Sequence, residues 1–363
     1  MAGAVAAATA PARGRDLALD LLRGYFLVVI MIDHLRYAVN PLYVISGHQS
    51  LWVTAAEGFV LISGFLVGML RGDEARSAGL AAASRHLLQR AGTLWLWCAL
   101  LTIGFRAIST ATGYWPDVPN ADAPGALVAY SLEALVLRTT YGDHNLLAAY
   151  ALFMAAAPLA LAGMLRRLTW LVLGVALALW AVAYDKRLVW SNSVQADLCW
   201  QLLFLIGMAA GFHRTALARR WRALVQRTRR VIGGAAAAAS VAIIVGSLVR
   251  LPVDGAYRTH LEDHLFDRDR LGPGRIACAL VLVASLYGLV RRFEAPLVAS
   301  IGKLFVPLGQ ASLYVYIVQS MLTFVLVNRA LVDPWLALAS NAAMVGLVWI
   351  MVRNRVLFRV IPR

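Results

Sequence analysis

The feature that most constrains this chain is a succession of apolar runs, each long enough for a helix to cross a bilayer, separated by short arginine-rich segments. Runs of roughly 17 to 25 residues place spans near 19–37, 52–70, 87–106, 146–165, 168–184, 197–213, 231–250, 274–290, 304–327 and 334–352. Only 15% of residues are charged against 61% hydrophobic, and mean hydropathy is +0.69, outside the balance of a soluble domain. The expected fold is all-α: a polytopic integral membrane protein of about ten transmembrane helices, forming one domain over residues 16–363. Residues 1–15 are rich in alanine but lack the basic start and leucine-rich stretch of a signal peptide, and read as a short disordered cytoplasmic tail.

A net charge of +15 would suit a nucleic-acid binder if the cations shared one face between ordinary core segments. Here they sit between the apolar runs, which excludes nucleic acid and is the pattern of cytoplasmic loops. With both termini in the cytoplasm, inner segments carry 22 of the 34 lysines and arginines and outer loops eight. A shorter run, 127–137, carries Glu133 and predicts an amphipathic helix on the outer surface. Counting it as a span would turn the seven arginines of 214–230 outward. The outer loop 251–273 is densely charged and reads as solvated. Cys98, Cys199 and Cys278 lie in apolar segments without a CxxC pair, so neither a disulfide framework nor a metal site is expected.

Ionisable groups inside spans are costly and point to function. The first span carries Asp20, Arg23, Asp33 and His34. Arg23 and His34, eleven residues apart, share one helix face at two depths, separated by a rise of about 16 Å. Counting residues from the outer surface puts Glu57 of the second span at nearly the depth of His34, as a partner fixing its tautomer. Asp33 points away and is expected near Arg36 or Tyr37. Further polar candidates facing a substrate are Gln201, Gln319, and Asp143 with His144 at an outer helix start. At the inner boundary, Arg85, Arg90 and Lys303 could join Arg23 in a cationic mouth for an anionic cofactor. Ser63 lies deeper than Glu57 and off its face, so helix packing beside Gly64 is expected of it.

These residues carry a resemblance. Arg23-Gly24 followed by His34 is similar to the R-x10-H pattern of the membrane acyltransferase-3 superfamily, and Glu57-Gly58-Phe59-Val60-Leu61-Ile62-Ser63-Gly64 resembles its second-helix E-x-F-V-x-x-S-G signature. Arg15-Asp16-Leu17, and later Trp200-Gln201-Leu202-Leu203-Phe204, resemble its OpgC-like branch, which includes succinyltransferases of periplasmic glucans. Ser191-Asn192-Ser193 stands where that branch has Phe-Asn-Pro, and Gln319 where many superfamily members have His. The resemblance implies an enzyme of the cell membrane that moves an acyl group, succinyl or acetyl, from cytoplasmic acyl-CoA to a hydroxyl of an extracytoplasmic glycan. It implies His34 and Glu57 as catalytic, Arg23, Arg85, Arg90 and Lys303 for the CoA, and Asp33, Asp143, His144, Asn192, Gln201 and Gln319 toward substrate. Two other readings compete. In a proton-coupled transporter Asp33, His34 and Glu57 would form a relay, but paired broken helices are expected of it and the sequence shows none. A glycosyltransferase using a lipid-linked sugar would need an outer-loop carboxylate as base, such as Asp143 or one in 254–269.

Overall fold

The computed structural model describes residues 16–35, 40–48, 51–113, 125–141, 145–185, 192–249, 264–326 and 333–362. Among them every regular element is helical. The tail 1–15, Arg36, Tyr37, Asp143, His144 and most of the loop 251–273 lie outside the described residues.

Among the described residues seven helices are long and apolar enough to cross a bilayer. They are α3 (Ala55–Ser77), α4 (Leu80–Thr112), α6 (Asn145–Leu165), α8 (Asn192–Phe212), α10 (Gln226–Val249), α11 (Pro273–Arg292) and α15 (Pro334–Arg353). The expected span 304–327 is not one helix. It breaks at Ala311 into α13 (Gly302–Gln310) and α14 (Ser312–Leu326), bent by 95°, and counted as one span this pair brings the number to eight. Two further expected spans are helices of a different quality. α1 (Leu17–His34) carries Asp20, Arg23 and Asp33 within 18 residues, and α7 (Thr169–Tyr184) has only 16. Ten crossings therefore require these two to span as well.

The helices are held together by direct backbone approach. On α3, Gly64 and Gly68 face the carbonyls of Phe204 and Met208 on α8, and Gly207 and Gly211 of α8 face those of Leu61 and Phe65. A Cβ at any of these positions would overlap a carbonyl oxygen. Because lipid is as apolar as the side chains, such close packing supplies attraction that hydrophobic burial does not. The same device joins α1 to α13: Gly24 faces the Phe305 carbonyl and Gly309 that of Asp20. Pro307 within α13, this backbone contact, and the 3.1 Å bond from Gln310 Nε2 to Asp20 explain why the ninth apolar run bends.

The outer amphipathic segment forms α5 (Ala126–Leu135), but it lies along α4. Tyr130 sits over the Arg106 guanidinium at 5.1 Å, while the Trp95 indole, three turns back along α4, donates to the Leu135 carbonyl at 2.7 Å. An indole N–H in apolar surroundings needs an acceptor, and the open carbonyls at the end of α5 provide one.

Gly68→Ala or Gly211→Ala forces the α3 and α8 backbones apart, with an expected loss of about 1–3 kcal/mol as for other overpacked cores. A lowered melting temperature of the purified protein in detergent checks this; an unchanged one would show that the two backbones are not in contact.

Candidate active site

A cavity of about 480 Å³ opens between α1, α3, α4, α6 and α14. Arg23 stands within it, about a third of the way along α1, its guanidinium 5.9 Å from the Phe59 ring and donating through Nη2 to the Ser312 hydroxyl. Ser63 and Tyr150 line the wall beside it, and Tyr316, one turn on from Ser312, lines the α14 side. Toward the opposite end the lining is Arg71, His86, Gln89 and Arg90. Arg90 feels the charges of both Arg23 and Arg71. Three like charges around one apolar-walled space repel one another, and an anion entering it would relieve that repulsion. Glu74 bridges Arg71 and His86, its Oε1 lying 2.5 Å from His86 Nδ1.

That mouth shares an end of the molecule with the chain's densest basic cluster. Arg76 donates to the Phe212 carbonyl at 2.9 Å and stacks on the Phe212 ring, and Arg214, the first of the seven arginines of 214–230, pairs with Asp73. His213 there is 2.8 Å from the Thr169 hydroxyl. Burial, with the charges of Arg76 and Arg220, holds the His213 imidazole below its ordinary pKa.

A family model described as OpgC protein matches residues 15–359. The chain belongs to the OpgC family. No curated protein and no solved structure matches it.

In this OpgC protein the residues expected from sequence separate into groups. Arg23 and Arg90 meet in the cavity, as expected of a cationic site. Arg85 and Lys303 do not join them: both are exposed and outside its lining. Arg85 stands on the outer face of α4, and Lys303 begins the bent helix α13, where its carbonyl accepts from the Trp349 indole at 2.9 Å. The place expected of them is taken by Arg71 and His86.

The pairing of Glu57 with His34 is also corrected. Glu57 has no exposure; its Oε2 accepts from the Thr54 amide at 2.9 Å and hydroxyl at 2.6 Å, closing a capping box at the start of α3, and its Oε1 pairs with Arg275 of α11. The Phe26 ring sits against Gly58, which sets Glu57 beside the middle of α1, whereas His34 lies eight residues beyond Phe26, a rise of about 12 Å. Equal depth would require both helices to begin at the same surface, and α1 runs on past the start of α3. Asp33 Oδ1 is 3.5 Å from Nδ1 of His48, a residue the sequence reading passed over, while its expected neighbours Arg36 and Tyr37 lie outside the described residues.

Gln201 is outside the cavity lining, and its Nε2 donates to the Ala176 carbonyl at 2.7 Å, tying α8 to α7. Gln319 is different. It is fully buried on α14, one turn beyond Tyr316, and neither its amide nitrogen nor its oxygen has a hydrogen-bond partner. An unsatisfied buried amide is costly, so this one is available to a ligand reaching past the cavity. Asn192 is the first residue of α8. Ser63 lines the cavity even though Gly64 beside it packs on α8 as expected. It was set aside because depth was counted from Glu57.

Arg275→Met strands the Glu57 carboxylate, which removal of one member of a buried ion pair makes costly by about 3–5 kcal/mol. Thermal unfolding in detergent should show that loss, and Glu57→Met combined with Arg275→Leu should recover much of it. A single substitution no worse than a surface change would remove the buried pair.

Proposed function

We propose that this OpgC protein is a membrane O-acyltransferase that takes an acyl group, succinyl or acetyl, from acyl-CoA at its cytoplasmic face and places it on a hydroxyl of an extracytoplasmic glycan. The observation that carries this reading is the cavity whose cations, Arg23, Arg71 and Arg90, converge on an apolar-walled space. Its mouth shares an end with Arg214 and the arginines that follow, the end that the positive-inside bias assigns to the cytoplasm. In the full reading ten helices cross the cell membrane, with α1 and α7 among them and both termini inside. α7 is short, and the charges of α1 are those the reaction uses.

The CoA phosphates lie at Arg71 and Arg90, with His86 beside them, and the pantetheine arm passes Arg23 into the cavity. Guanidinium groups suit this role because each offers forked donors to phosphate oxygens. The rise of about 16 Å from Arg23 to His34 along α1 is of the order of the extended arm, so one helix carries the cation at the donor side and the imidazole at the acceptor side. His34 takes the proton of the acceptor hydroxyl as that oxygen attacks the thioester carbonyl; the C–S bond breaks and the thiolate leaves with the electron pair. Transfer through an acyl-His34 is the alternative order of the same steps. Tyr316 extends the polar lining along α14 beyond Ser312, and Gln319 is fully buried one turn further along the same helix. The transporter reading loses ground because the described residues contain a single bent helix pair, without a counterpart in a second half.

Transfer of radiolabel from acetyl-CoA and succinyl-CoA to membrane glycans by the purified protein tests this. His34→Ala should lower the rate by roughly 10²-fold or more while eluting as a folded species. Arg90→Ala should raise the donor KM about tenfold, the size expected for a lost hydrogen bond to a charged group. Full activity in His34→Ala would remove it as the base, and absence of labelling by the wild type with either donor would remove acyl transfer.

A further inference from the structure

The outer end of α1 holds a second cluster, separate from the cavity. Residues 40–48 fold back over the helix end, with one short turn, α2 (Tyr43–Ser46), closed by the Gly47 amide donating to the Tyr43 carbonyl at 2.8 Å. The next residue, His48, is fixed in three ways. Its Nδ1 lies 3.5 Å from Asp33 Oδ1. Its ring stacks on Tyr43, with centroids 4.0 Å apart and an interplanar angle of 10°. Its backbone, at φ 38°, is in the left-handed region that residues bearing a Cβ rarely adopt, and its amide is held by the Ser46 hydroxyl at 3.2 Å.

The other ring nitrogen is open. No described residue hydrogen-bonds Nε2, and the His48 side chain is 27% exposed. A carboxylate against Nδ1 favours the proton there and leaves Nε2 with its lone pair. The result is a hydrogen-bond acceptor on a partly exposed ring, stacked on Tyr43 and set against Asp33, the residue before His34. Arginine and lysine side chains can only donate to a hydroxyl, and an imidazole nitrogen with its lone pair adds the complementary contact, accepting the hydrogen bond of the hydroxyl.

We propose that His48 binds the acceptor: Nε2 receives the hydrogen bond of one sugar hydroxyl, and so presents a neighbouring hydroxyl of a neutral glycan to His34. This rests on the acyl-transfer reading given above. Asp33 acts through His48 by setting its tautomer, and is a positioning residue.

The test uses the full-length protein in detergent with a series of neutral glucan heptasaccharides differing in linkage, and measures acceptor and donor KM separately for the wild type, His48→Ala and His48→Asn. The asparagine amide can keep the bond to Asp33 in the position of Nδ1 but cannot reach where Nε2 stands. Both variants should raise the acceptor KM about tenfold, the effect of one hydrogen bond to a hydroxyl, with the donor KM unchanged. Recovery of the wild-type acceptor KM in His48→Asn would make His48 a tether for the loop and overturn the proposal. An unchanged acceptor KM in His48→Ala would overturn it while leaving acyl transfer standing. A wild type that transfers label to none of the glucans would remove both.

Discussion

A charge carried into an apolar bundle has to be compensated inside the protein, because neither lipid nor a packed core will solvate it. In this chain that requirement fixes much of the packing. The carboxylate of Glu57, without any exposure, draws α11 against the start of α3 through Arg275. Asp20 takes the Gln310 amide and holds the end of α13 against α1. Arg23 reaches the Ser312 hydroxyl at the first residue of α14. Two of these three contacts flank the 95° break in the ninth apolar run, so the break and the charged face of α1 are one arrangement: the helix bends where its polar ends meet the ionisable groups of α1.

The glycine contacts complement this. Charges determine which helices must meet, and the absent side chains at Gly64, Gly68, Gly207 and Gly211 let α3 and α8 meet at backbone distance. α3 is thereby anchored on one face and free on another, where Phe59 and Ser63 line the cavity opposite α4 and α6. A wall built on a rigid helix pair can hold a cationic site open against the mutual repulsion of Arg23, Arg71 and Arg90. A wall made of loops would collapse or admit counter-charges.

Much of this was legible in the sequence, and what was not has a common cause. The apolar runs and the arginine bias gave the helices and their order, since both depend on the chain's own periodicity and composition. The pair Arg23 and His34 was legible because two positions on one helix are related by fixed geometry. Relations between helices were not. Matching Glu57 to His34 by counting inward from a common surface assumed a shared starting level, and the capping box of Thr54 starts α3 well below the end of α1. Arg85 and Lys303 had the right charge but are outside the cavity lining, whereas Arg71, which the sequence reading did not single out, lines it. The register of one helix against another is set by contacts such as Phe26 on Gly58, and no periodicity within either segment encodes them.

The geometry of α1 gives the proposed chemistry a physical logic. A donor that is anionic at one end and an acceptor that is a neutral, hydroxyl-rich glycan differ in what binds them: fixed donors with positive charge suit the first, whereas the hydroxyls of the second both donate and accept, so that an acceptor nitrogen can take part. The chain separates them along a single helix. About a third of the way along it Arg23 stands among guanidinium groups and hydroxyls; at its C-terminal end stand Asp33 and His34, with the His48 imidazole 3.5 Å from Asp33. Because Arg23 and His34 both belong to α1, their separation is fixed by the helix rise rather than by the relative motion of two elements. The distance over which the acyl group must be carried is therefore a property of the covalent chain, and loop closure or helix bending elsewhere would change access to the two ends without changing that distance.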